Sequence, residues 1–442
     1  MLRNLFRFVA VLVVCLLMAA PSFAIEIKEV KSKLGVSAWL VEDHCNPIIT
    51  VNFAWRGGAT LDPAGKEGLA NLVASTLDEG AGELDSQAFQ RALEDLAISL
   101  SFESSRDRFS GSLRTLTRNK DRAFELLRLA ITNPRFDSDA VERIRGQILS
   151  GLRRSSENPN RIAGRELMKA FFPNHPYGRP SRGTLESVPL IKLADLKVFV
   201  AERMARDNLV ISVVGDISPS ELAAVIDATF GPLPAKASPW TLEEASAPDK
   251  GRTIVIDKDI PQSLIRFGQP GIKRDDPDFF AAYVMNYVLG GGGFESRLYE
   301  EVREKRGLAY SAWSYLLPFN HSALVMGGAG TANARAAETI KIMQGEWKRM
   351  ADAGLSAQEL ADAKLHLTGS YALRFSSSRR IAGMLTGIQL EKLGIDYIDK
   401  RNGFIQAVTL VDVNRVAKKL LKPDGLTTVV VGRPAGVTSQ GQ

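Results

Sequence analysis

The side chains that could do chemistry here are few. The 442-residue sequence holds four histidines, His44, His175, His321 and His366, and two cysteines, Cys15 and Cys45. No two histidines stand three or four residues apart, the spacing that sets two metal ligands on one helix face. Only His366 has a carboxylate at such a distance, Asp362, and two donors make a surface pair rather than a zinc site. No G-x-S-x-G elbow and no Walker loop occurs. Gly290 to Gly293 lacks the Lys-Ser/Thr of a phosphate loop and reads as a flexible turn between helices. One further pair stands out: Arg303 near the end of a predicted helix, and Tyr310 near the start of a predicted strand. Phe294, Leu298 and Val302 give that helix an apolar face, and Gly307 ends it. Such a pair could face one cleft, the guanidinium supplying fixed donors and the phenol a hydrogen bond to a peptide carbonyl or oxyanion. Residue types alone leave a blander alternative open, with Arg303 pairing a surface Glu and Tyr310 packing in a sheet.

The elements that must hold these residues follow from a pass along the chain. Arg3 and Arg7 precede an apolar run, Phe8 to Ala20, followed by Ser22 and Ala24 at the −3 and −1 positions, so residues 1–24 read as a cleaved export signal. The run is short for a bilayer span, and no second one follows. The expected location is thus periplasmic or secreted, with no membrane attachment after signal removal. Cys45 is then a lone thiol, expected to be buried. A formal charge of +6, with 45% hydrophobic and 24% charged residues, is ordinary for a globular protein, and no run of Lys/Arg suggests nucleic acid.

Residues 234–250 have linker composition, and the same plan appears on either side. Strand 48–55 and strand 263–268 each lead to glycine. Helices 68–77 and 278–289 each run into glycines, and each half closes on a β-branched strand, 209–215 and 426–432. The repeat of about 215 residues indicates a duplicated domain. The boundaries adopted are 25–235, a linker 236–250, 251–436 and a tail 437–442. In the second half, strands 253–257 and 263–268 precede helices 278–289 and 294–305. Strands 309–317 and 322–330 precede long helices 332–353 and 356–373, then helices near 380–392 and 411–420, so runs of strands are followed by runs of helices without βαβ regularity. This predicts an α+β fold, each half a mainly antiparallel sheet with helices on one face.

Three segments carry a resemblance across essentially the whole mature chain: Arg56-Gly57-Gly58 with Gly65-Lys66-Glu67-Gly68-Leu69-Ala70; His175-Pro176-Tyr177-Gly178-Arg179-Pro180; and the long run from Leu289 through Ser296-Arg297-Leu298-Tyr299 and Arg303 to Gly307-Leu308-Ala309-Tyr310-Ser311. They resemble the pitrilysin–insulysin–mitochondrial processing peptidase superfamily, zinc peptidases with an H-x-x-E-H helix. The family's His, Glu and His would fall on Asn71, Ala74 and Ser75, and its distal Glu near Ser150, Gly151 or Leu152. None of these supplies a good zinc ligand or a catalytic carboxylate. The resemblance therefore implies no metal on this chain, with Arg303 and Tyr310 kept as the family's substrate-binding pair. It further implies a non-catalytic subunit forming half of a peptidase chamber. The partner would be a homologous subunit carrying H-x-x-E-H and the zinc, in a heterodimer that cleaves peptides. The alternative is a homodimeric peptide-binding or scaffold protein; an active peptidase with moved ligands lacks the histidines it would need.

Overall fold

The computed structural model describes residues 25–440, so the proposed export signal lies outside the described residues. Two sheets form the frame. The first contains β1 (Lys28–Lys31), β2 (Ser37–Glu42), β3 (Ile48–Arg56), β4 (Ser99–Ser104), β5 (Arg108–Leu116) and β6 (Leu209–Gly215), in the order β1-β2-β6-β3-β5-β4. The second contains β7 (Thr253–Asp257), β8 (Gln262–Pro270), β9 (Ala309–Pro318), β10 (Ala323–Ala332) and β11 (Thr427–Gly432), in the order β7-β11-β8-β10-β9. With β1 set aside the two orders match strand for strand. Phe53 faces Ile211 and Phe267 faces Thr428, so the aligned phenylalanines occupy equivalent rungs. Pairing is antiparallel except β2 with β6 and β7 with β11. The fold is α+β.

Helices of the first half are α1 (Leu69–Ala74), α2 (Ser86–Asp95), α3 (Lys120–Thr132), α4 (Ser138–Glu157), α5 (Pro159–Phe171), α6 (Leu193–Arg203) and α7 (Pro219–Phe230). Those of the second are α8 (Phe279–Asn286), α9 (Arg297–Tyr299), α10 (Ala336–Ala353), α11 (Ala357–Gly369), α12 (Ser378–Leu390), α13 (Tyr397–Ala407) and α14 (Leu410–Leu420). Capping boxes start several of them: Ser218 with Glu221, Ser356 with Glu359 and Thr409 with Asp412. α13 was not anticipated. Helix 356–373 is α11 followed by a 3₁₀ stretch, Ser370–Phe375.

The helices do not keep to one face. One face of each sheet packs on helices of its own half, but the other is covered by a helix from the opposite half. Leu167, Met168 and Phe171 of α5 pack with Leu324, Met326, Val429 and Val431 on the second sheet. Ala382, Leu385 and Ile388 of α12 pack with Val41 and Val214 on the first. Polar contacts fix α12 there: Thr386 Oγ1 donates to Ser212 Oγ at 3.0 Å, and Gln389 Nε2 to Ile211 O at 2.9 Å. Arg56 donates to the terminal carbonyls of Gln389 and Leu390. Each fully buried Leu or Phe in these seams contributes roughly 1.5–3 kcal/mol.

The linker region has no regular structure but is pinned, with Ala245 N donating to His321 O at 2.8 Å and Ala247 buried. Cys45 is exposed, not buried, because it lies in the β2–β3 connection, where His44, Asn46 and Pro47 are exposed as well. Among the described residues no helix is long and apolar enough to cross a membrane.

Candidate functional site

Asp62 sets the start of α1. Its carboxylate accepts from Gly68 N at 2.8 Å and Ala70 N at 3.0 Å, and burial raises it to about 7 despite these bonds. Gly68, at φ +95, is the cap; a Cβ there would lie 2.8 Å from Arg182 O. Leu69, Ala70, Leu72, Val73 and Ala74 face the core, which leaves Asn71 and Ser75 half-exposed one turn apart. Both line a cavity of about 560 Å³ with Gly151 and Leu152 of α4, so the fold joins the motif positions to the region expected to hold the distal ligand. Ser150 does not line it.

The donor set does not suit zinc. Ser75 Oγ donates back to Asn71 O at 2.9 Å, Ala74 has no donor, and Gly151 and Leu152 offer none. The charged side chains lining this cavity are Arg154, Arg161 and Arg182. Among the described residues no group of three or more His, Cys, Asp or Glu side chains could hold a metal ion. His44 meets Asp216 at 2.7 Å, and His366 sits on the Tyr287 ring with Glu295 at 3.9 Å. Asp362, the carboxylate expected beside His366, accepts instead from Gln358 at 2.9 Å.

Arg303 and Tyr310 are brought together. After α8 the chain makes a π turn, Tyr287–Gly291, whose Gly290 is packed rather than flexible: a Cβ would lie 2.5 Å from Ser314 N. Arg297 anchors the next segment, its guanidinium bonded twice to Glu359, at 2.7 and 2.8 Å, and to Gly354 O. Leu298 and Val302 are buried, but Phe294 lies in the preceding 3₁₀ turn and is 77% exposed, so it belongs to no apolar helix face. A second π turn, Glu300–Glu304, presents Arg303 outward. Gly307 then turns the chain into β9, where pairing slips between Ala329 and Thr331, opposite Ala312 and Ala309. At this bulge Tyr310 is thrown outward, 81% exposed. The Arg303 guanidinium lies 4.6 Å from the Tyr310 ring centre, 4.9 Å from Tyr299 and 5.9 Å from Phe294. Glu304, 3.8 Å away, is a loose ion partner. Tyr299 and Phe294 were missed as members of this stack, although Tyr299 stands four residues before Arg303, one helical turn. Neither Arg303 nor Tyr310 lines the cavity at Asn71.

The segment His175-Pro176-Tyr177-Gly178 is a joint. Tyr177 Oη donates to Asp107 Oδ1 at 2.9 Å and accepts from His321 N at 3.0 Å, while Asn320 N donates to Asp107 Oδ2. His175 Nε2 lies 3.1 Å from Glu243 O in the linker region. Gly178 allows the close turn, since a Cβ would lie 2.0 Å from Phe172 O.

Two family models match this chain, Insulinase (Peptidase family M16) over residues 39–185 and Peptidase M16 inactive domain over 191–367. The chain belongs to the M16 insulinase family, and the segment from Asn71 to Ser75 falls within the matched residues. It is 31% identical over 396 residues to the protein named non-peptidase homolog YmxG of Helicobacter pylori, spanning 88% of this chain and 90% of that one. It is 27% identical over 314 residues to an uncharacterized zinc protease, YmxG, of Bacillus subtilis, spanning 70% and 75%. The crystal structure of a peptidase M16 inactive domain from Pseudomonas fluorescens superposes with a TM-score of 0.87 at 31% identity, spanning 94% of this chain and 99% of that one.

Proposed function

We propose that this chain is a zinc-free, non-catalytic M16 subunit that presents Arg303 and Tyr310 to a peptide lying against a homologous partner carrying H-x-x-E-H. The observation that carries the reading is the division of labour in one intact fold. The positions assigned to the metal hold Asn71, Ala74 and Ser75, while a half-buried Arg303 is stacked on an exposed Tyr310, and neither lines the cavity at Asn71. An arginine held over aromatic rings keeps a fixed planar donor array for a peptide backbone. Residues 1–24 would direct the chain to the periplasm, where substrate peptides are unfolded, and the domain boundaries at 235 and 251 would bracket the pinned linker.

The test is reconstitution. The purified chain should carry no stoichiometric zinc and cleave no peptide. Mixed with an H-x-x-E-H partner it should give chelator-sensitive cleavage, which Arg303→Ala lowers. Chelator-sensitive activity from this chain alone would overturn the reading. The homodimeric peptide-binding alternative draws on the name of the Helicobacter relative, a non-peptidase homolog, and predicts peptide binding without any partner.

A further inference from the structure

The cavity at Asn71 continues into a second one. This cavity of about 550 Å³ shares Leu152, Ser155, Arg161 and Arg182 with the first and opens between α5, the 178–186 loop and the outer face of the second sheet. Its floor is apolar, with Met168, Leu317 and Met326 beside the Tyr315 ring. Its walls are cationic: Arg106, Arg165, Arg179 and Arg266 join the guanidiniums already named, and Glu186 is the one acidic residue lining it.

These arginines fall into three kinds. Arg165 and Arg179 have carboxylate neighbours, Glu166 at 3.6 Å and Glu67 at 4.0 Å. Arg266 and Arg106 are half-buried and fixed. Arg266 lies over the Trp313 ring at 4.4 Å and donates to Asn160 Oδ1 at 2.9 Å; Arg106 lies over Phe319 and donates to Tyr177 O at 3.1 Å. Burial lowers both guanidinium pKa values, a sign that they are charged at a cost in lost hydration. Arg154, Arg161 and Arg182 are exposed, and among the described residues none has a carboxylate within ion-pair distance. The N-terminus of the 13-residue α5, capped by Asn158, adds its partial positive charge at the junction of the two cavities.

We infer that this continuous cleft binds the carboxylate side chains of acidic peptides, and that the ligand class of this chain is Asp/Glu-rich peptide in extended form. The inference rests on the peptide-binding reading above and narrows it. Free guanidiniums on the walls match carboxylates by paired N–H donation. The apolar floor takes intervening Leu, Val or Phe side chains, which a polyphosphate or nucleic acid backbone would leave unmatched. Charge focused in a cleft also speeds capture of an oppositely charged ligand.

The experiment is fluorescence anisotropy of the full chain with three labelled, unstructured peptides of one length: acidic with interspersed Leu and Phe, its Asn/Gln counterpart, and its Lys counterpart. The acidic peptide is expected to bind about tenfold tighter than the amide one at low salt, with the gap closing as salt rises. Arg161→Gln with Arg182→Gln should weaken acidic-peptide binding about tenfold and leave amide-peptide binding unchanged. Both side chains are exposed, so an unaltered unfolding midpoint is expected in the same variant. Equal affinity for acidic and amide peptides, or an unaffected double variant, overturns the charge preference alone. Tighter binding of oligothymidylate or inorganic phosphate overturns the peptide assignment of the cleft. Failure of every peptide to bind overturns this inference, while the subunit reading it rests on stands or falls separately by the reconstitution above.

Discussion

The phenol of Tyr177 bridges the two halves of the molecule, donating to Asp107 Oδ1 at 2.9 Å and receiving His321 N at 3.0 Å. Asp107 sits on the β4–β5 turn of the first sheet and His321 on the β9–β10 turn of the second. The second of the three segments that carry the family resemblance is therefore a pin between the halves. Burial raises the Asp107 carboxyl above its ordinary range. Tyr177→Phe keeps the ring that stacks on Phe319 at 4.6 Å but leaves Asp107 and His321 N each short of a partner. A loss of about 1–3 kcal/mol is expected in urea unfolding, with the slope of the transition unchanged.

Arg303→Lys tests whether planarity or charge matters at the exposed stack. Lysine keeps the charge but cannot lie flat over Tyr299 and Tyr310. In the reconstituted pair, Arg303→Lys should lose activity as Arg303→Ala does. Stability should change by less than about 0.5 kcal/mol, because the site is on the surface. Steady-state cleavage and thermal melting of the same preparations decide it.

Placing two imidazoles at the proposed motif positions should not create a metal site. Asn71→His with Ser75→His puts two imidazoles one turn apart facing the cavity, but Gly151 and Leu152 still offer no third donor. Arg154, Arg161 and Arg182 also oppose a dication. Elemental analysis after desalting should find less than stoichiometric zinc, and cleavage should stay at background because Ala74 provides no base.

Asp62 gives stability a definite pH slope. In the unfolded chain its proton leaves near 3.8, whereas in the folded protein it is held to about 7. Between those values the folded state binds more protons, so this residue's contribution makes stability fall as pH rises. Asp62→Asn should flatten that part of the curve. Urea unfolding of both proteins from pH 4 to pH 7 provides the comparison, and equal slopes would exclude the assignment.

The duplication and its repeated strands and helices were legible because they rest on periodicity and spacing, whereas the meeting of Asn71, Ser75 and Gly151 in space was expected only from the family resemblance. The exchanged helices were not legible. An amphipathic stripe such as Leu167, Met168 and Phe171 shows that α5 buries a face, but not which sheet receives it. A signal was present all the same: β6 and β11 are apolar on both alternating sets of residues, as strands covered on two faces must be. Phe294 was misplaced because spacing counts turns of an uninterrupted helix, and a 3₁₀ turn intervenes. The arginine-walled cleft drew no notice because its residues are scattered from Arg106 to Arg266 along the chain and converge only in three dimensions.

The reciprocal placement of α5 and α12 has a further consequence. It is arm exchange between two copies of a module, performed inside one polypeptide. Neither module is soluble in isolation by this logic, since Phe171 on one side and Leu385 on the other would meet water. Half-length chains expressed separately should aggregate, co-expressed ones should associate, and the intact protein should show a single heat-capacity peak rather than one for each sheet.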